Sequence, residues 1–111
     1  MSELYTYTLL NGVKETGVGS SQDIETMQEK FTCWITLAGT APTSVTVALE
    51  GSIDGITWAP LATNTYTVAS SDTAMFHVVN KGVAKIRGNY TAKVGGDTTT
   101  AVTFKVHAYI S

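Results

Sequence analysis

Two histidines, one cysteine and nine carboxylates are the side chains of this sequence that could bind a metal or take part in catalysis. His77 and His107 fall on separate predicted strands, and Cys33 alternates in phase with apolar residues that point into a core. A metal site needs a further convergent ligand beside two histidines. Because the cysteine points inward and no other ligand accompanies the histidines, we expect no metal and no cofactor.

Asp54 is the carboxylate that could form a two-carboxylate catalytic site, with Glu50 or with Asp72. It stands in an Asp-Gly pair, however, where an aspartate bonds to its own backbone and gives a tight turn. The sequence contains no nucleophile elbow, no phosphate-binding glycine loop before a helix and no HExxH zinc motif. We therefore expect a protein that is not an enzyme.

The composition predicts an all-β protein. In 111 residues, the size of one domain, there are nineteen threonines and eleven valines, and β-branched side chains favour pleated sheets. Seven basic residues against nine acidic ones argue against a nucleic-acid partner. No apolar run is long enough for a membrane span, and no apolar signal sequence is visible, so we expect assembly in a cytoplasm.

Only 14% of the residues are charged, and threonine dominates the polar ones. Either neighbouring proteins cover such a surface in an assembly, or its hydroxyl groups alone keep the protein soluble.

Alternating apolar and polar residues predict about eight strands, spaced as in a β-sandwich or small barrel. The clearest are residues 30–38, 45–50, 56–62, 83–92 and 100–110. Their common phase predicts a core made of Phe31, Ile35, Leu37, Val45, Val47, Leu49, Ile86, Val102, Phe104 and Val106.

The first thirty residues have a weaker pattern. Residues 4–10 alternate as a strand, Asn11 and Gly12 indicate a turn, and residues 21–30 fit either a short helix or an irregular strand. We therefore divide the single domain into an N-terminal strand and loop segment, 1–30, and a sandwich core, 31–111. Tyr5 and Tyr7 make the segment a candidate for partner contact.

Further candidates for binding lie on the predicted strands. Trp34 is out of phase with the apolar set of its strand, so it belongs to a protein interface, to a surface covered by the N-terminal segment or to a sugar-binding platform. Lys85 and Arg87 alternate outward on one strand, as Lys105 and His107 do on the last. If these strands are neighbours they form a basic band; otherwise they are ordinary solvated faces.

Two segments resemble small β-sandwich proteins from the virions of tailed phages. Residues 49–58, followed by Leu61, contain that family's strand ending in EGS, its DG turn and its returning Trp. Residues 83–90 resemble the family's strand with an Ile-Arg pair before an Asn. The chain is thus similar to capsid decoration proteins of short-tailed enterobacterial phages, over residues 31–110.

This resemblance implies an antiparallel sandwich of the jelly-roll type. It also implies a structural protein on the outer capsid surface that bridges subunits of the major capsid protein and associates with itself, as a dimer in the favoured case. Because carbohydrate-binding modules share the sandwich shape, the alternative is a carbohydrate- or receptor-binding module of a phage fibre or tail.

Overall fold

The computed structural model of the protein describes residues 3–28, 30–79 and 82–110, and there the chain forms strands joined by turns. The strands are β1 (Glu3–Val13), β2 (Gly17–Val18), β3 (Gln22–Gln28), β4 (Lys30–Ala38), β5 (Pro42–Ser52), β6 (Ala59–Thr67), β7 (Met75–Val78), β8 (Val83–Gly95) and β9 (Ala101–Ile110). A single 3₁₀ turn, Ser71–Ala74, precedes β7.

The strands form two antiparallel sheets. Sheet 1 has the order β1-β9-β4-β7. In sheet 2, β8 pairs with β5, which pairs with β6, while β2 and β3 follow one another along the free edge of β8. Counted as two halves of one edge strand, β2 and β3 complete an eight-stranded jelly roll. The prediction of an antiparallel sandwich is confirmed.

The core lies between the sheets and is built from one phase of each strand. All ten core residues predicted from the sequence are buried except Leu37, which is partly buried against the others. Cys33 and Tyr90 are buried in the same layer. Alternation along β4 and β9, and over parts of β5 and β8, explains this agreement, since each strand keeps its inward phase over most of its length.

Residues 3–28 contribute to both sheets and to the core. Strand β1 pairs with β9 from Glu3 opposite Ile110 onward, and Leu9, Leu10 and Ile24 are buried. A register shift after Thr8 brings the consecutive Leu9 and Leu10 inward together, which breaks the alternation that sequence analysis relies on. The described residues before residue 30 therefore form strands of the same sandwich.

Candidate binding surface

The outward side chains of sheet 1 line up in two rows across its four strands. Strand pairing places Thr6, His107, Thr32 and His77 side by side, and the next row contains Thr8, Lys105, Trp34 and Met75. Neighbours in a row are about 4.8 Å apart between strands. Together with Thr36 and Thr103, these residues form what we name the outer face of sheet 1.

Each histidine on this face is held by a threonine of the adjacent strand. The Nδ1 atom of His107 lies 2.9 Å from the Oγ1 atom of Thr6, and that of His77 lies 3.2 Å from Oγ1 of Thr32. The imidazole of His107 also stacks on the indole of Trp34, with 4.4 Å between ring centroids. These contacts fix the two aromatic rings at the centre of the face.

An open, shallow concavity of about 530 Å³ lies beside this pair of rings. Trp34, His107 and Met75 line it, with threonine side chains and Ala74 at its margin. Met75 is exposed in spite of its apolar side chain. An apolar centre surrounded by hydroxyl groups is the arrangement found at protein interfaces, where a rim of polar residues encloses aromatic and methionine side chains.

Carboxylates are absent from the outer face of sheet 1 as far as the described strands define it. The outward phase of these four strands contains Lys30 and Lys105 but no aspartate or glutamate. The other five basic residues share the rest of the chain with all nine acidic ones. Within the described residues, one side of the sandwich is therefore a neutral to basic face.

The outer face of sheet 2 differs, because its charges are paired within the chain. The Nε atom of Arg87 donates to Glu50 Oε1 at 2.7 Å, and Asn89 Nδ2 donates to the other carboxylate oxygen at 3.1 Å. The guanidinium of Arg87 also lies 4.3 Å from the ring centroid of Trp58. Lys85 forms an ion pair with Asp23 of β3.

Most of the contact residues that were proposed from the sequence lie far from one another in the structure. Strands β8 and β9 belong to different sheets, so Lys85 and Arg87 lie on the opposite side of the sandwich from Lys105 and His107, and they form no common basic band. Tyr7 packs partly buried against the core, and the side chain of Tyr5 lies outside the described part. Trp34, Lys105 and His107 come together, whereas Met75 and the threonine rows were missed because only strand pairing brings them there.

Two of the groups considered for catalysis, Cys33 and Asp54, are respectively buried and engaged in a turn. Burial raises the pKa of the Cys33 thiol to about 12, which keeps it a neutral core side chain. One oxygen of Asp54 accepts hydrogen bonds from the backbone of Thr57 and Ile56 and from Ser52 Oγ, and these lower its pKa. Across the described residues, no three His, Cys, Asp or Glu side chains gather where they could hold a metal ion.

The turn that Asp54 closes has a further internal hydrogen bond and presents apolar side chains. Gly55 has a φ of 79° and donates its N–H to Ser52 Oγ at 2.8 Å. Ile53 and Ile56 on either side are exposed.

Among the residues described, no helix has the length and apolar character required to cross a membrane.

No protein-family model and no curated protein sequence matches the chain. Among solved structures, the SPBc2 prophage-derived protein YomS is similar with a TM-score of 0.70 and 11% identity, covering 99% of this chain and 96% of that one. The carbohydrate-binding module CBM32-1 from a family 31 glycoside hydrolase of Clostridium perfringens has a TM-score of 0.49 and 11% identity, covering 96% and 76%. At these identities the likeness concerns the fold, and the chain shares its sandwich fold with a prophage-derived protein.

Proposed function

We propose that this protein is a non-enzymatic component of a phage virion that decorates the capsid from outside and stabilises it by bridging coat subunits. The observation that carries the proposal is the outer face of sheet 1, a surface with Trp34 on a central strand, Met75 beside it on the edge strand β7 and no ion pair within its described part. The resemblance of residues 49–58 and 83–90 to capsid decoration proteins supports the same function. Its partner is then the major capsid protein, and neither nucleic acid nor membrane takes part.

Bridging requires that one decorating unit contacts more than one coat subunit. A dimer of this chain presents two copies of the outer face of sheet 1, so self-association belongs to the same proposal. Sedimentation equilibrium at several protein concentrations measures it directly.

Binding to empty capsids of a short-tailed enterobacterial phage, prepared without their decoration protein, tests the function. The protein should co-sediment with the capsids and raise the temperature at which they break, because a ligand that binds only the intact shell stabilises it. Identical capsid melting with and without saturating protein would contradict the proposal.

Two tryptophan variants locate the contact. Trp34→Ala should weaken co-sedimentation strongly, since tryptophans at interface centres often contribute ~2 kcal/mol or more. Trp58→Ala removes the same side-chain type from the opposite side, where it covers Arg87, and should leave capsid binding unchanged. Thermal unfolding of each isolated variant verifies that it is folded.

A carbohydrate-binding module remains the second candidate, on the strength of Trp34 beside an open concavity. Sugars stack on exposed aromatic rings, but one side of this indole is already occupied by His107. Glycan-induced changes in Trp34 fluorescence, absent from Trp34→Ala, together with no capsid binding, would favour this function over capsid decoration.

A further inference from the structure

Resting on the proposed function, we infer that the coat surface met by the outer face of sheet 1 is acidic. Its carboxylates form an ion pair with Lys105 and accept hydrogen bonds from the two histidines.

Lys105 is the central charged donor of the face. Strand pairing places it between Thr8 and Trp34, and it forms no ion pair with any described side chain. An ammonium group has three N–H donors and no acceptor, so its natural counterpart is a carboxylate. Because the neighbouring outward positions carry only hydroxyl, aromatic and imidazole groups, a carboxylate that pairs with Lys105 comes from another molecule.

His77 and His107 add donors in the adjacent row. Each uses Nδ1 toward a threonine hydroxyl, and neither Nε2 atom has a hydrogen-bond partner within the described ranges. When the hydroxyl donates to Nδ1, the proton of the neutral ring is on Nε2, which then acts as a donor. Thr32 separates the two rings, which stand two strand spacings apart, roughly 10 Å.

Because the described part of the face has no carboxylates, it favours an acidic partner over a basic one. A basic coat surface would leave Lys105 opposed by like charge, which disfavours the complex. An acidic surface meets no competing carboxylate, whereas on sheet 2 Glu50 and Asp23 already occupy Arg87 and Lys85. The apolar patch around Trp34 and Met75 fits the side chains of a protein partner. A nucleic-acid partner is disfavoured, because the two lysines of the face are too few to bind a phosphate backbone.

Charge reversal tests the inference in the capsid co-sedimentation assay at low and at high salt. Lys105→Glu should lower the affinity roughly tenfold at low salt. Lys105→Gln should give a smaller loss, and Lys105→Arg should bind as well as the unaltered protein. Lys14→Glu is the matched control, because Lys14 is exposed in the connection between β1 and β2 and changes the net charge equally.

The capsid is altered in the complementary experiment, by converting its surface carboxylates to neutral amides with glycinamide and a carbodiimide. The unaltered protein should bind these capsids more weakly, and the difference between it and Lys105→Glu should vanish. If the protein binds untreated capsids but Lys105→Glu, salt and amidation have no effect, the acidic partner is excluded and capsid decoration stands. If the unaltered protein binds no capsid at all, the proposed function fails and this inference with it.

Discussion

At the scale of single residues, this protein is organised by where each apolar or polar side chain faces. Phe104 lies on the inward phase of β9, is fully buried and stacks on Phe76 with 5.8 Å between ring centroids. One residue along the chain, Lys105 lies on the outward phase beside Trp34. A one-residue alternation thus places neighbouring residues in the core and on the outer face of sheet 1.

Phe104→Ala should lower the free energy of unfolding by ~3–5 kcal/mol, because it removes a buried ring and leaves a cavity between the sheets. Urea denaturation followed by circular dichroism measures the change. Thr36→Ala, on the exposed outer face of the same sheet, is the control and should shift the midpoint little. A midpoint for Phe104→Ala equal to that of the control would contradict the packing described for β9.

Asp54 makes the stability dependent on acid pH. Its pKa in the folded state is below the usual value of 3.8, chiefly because the backbone N–H groups of Thr57 and Ile56 bond to the ionised form. A lowered folded-state pKa contributes stability above the unfolded-state value, and this is lost as pH falls through the folded-state value. Asp54→Ala should therefore melt at a lower temperature than the unaltered protein at pH 7, and the difference should shrink toward pH 2. A difference independent of pH would exclude this role for the ionised carboxylate.

At the scale of strands, the sequence predicts those with regular alternation and fails where a strand bends. The bounds of β4 agree with the prediction, since Phe31, Cys33 and Ile35 alternate without interruption. Strand β1 was predicted too short, because its register shifts place Leu9 and Leu10 on one side and continue pairing past Gly12. The stretch predicted as either helix or irregular strand is β3, which pairs with β8.

For the candidate site, the sequence predicts the orientation of single residues but not their grouping on one face. The outward phase of Trp34, Lys105 and His107 follows from their own strands. That they share one face with Met75 depends on β4 lying between β9 and β7, a pairing of strands distant in sequence. The same long-range topology places Arg87 on the other sheet.

The strand pairing predicts that removing the N-terminal segment abolishes folding. A chain beginning at Gln28 lacks β1 and β2 and nearly all of β3, so β9 and β8 each lose a partner and the core loses Leu9, Leu10 and Ile24. It should show no cooperative thermal transition and no dispersed amide signals by NMR. Leu10→Ala, a milder change at the same strand, should remain folded but be less stable by ~2–5 kcal/mol. A truncated chain that melts cooperatively near the temperature of the full chain would show that the segment is dispensable.

At the scale of the whole molecule, the two ends of the described chain are neighbours in sheet 1. Glu3 pairs with Ile110, and the antiparallel pairing continues to Val13 opposite Val102. These contacts join residues separated by almost the entire sequence. Chains with many distant contacts fold slowly, because the entropy of closing a long loop must be lost before the contacts form.

Joining the two ends by a short glycine-containing loop and opening the chain between Lys14 and Glu15 should give a circular permutant with the same fold. Both residues are exposed in the connection between β1 and β2, where a break removes no strand pairing. In the permutant, β9 and β1 become a local hairpin, so refolding after dilution from urea should be faster than for the unaltered chain. Stopped-flow tryptophan fluorescence measures both rates, and a circular dichroism spectrum equal to that of the unaltered chain verifies that the permutant is correctly folded. Equal refolding rates in a correctly folded permutant would mean that β1 joins β9 only after the rate-limiting step.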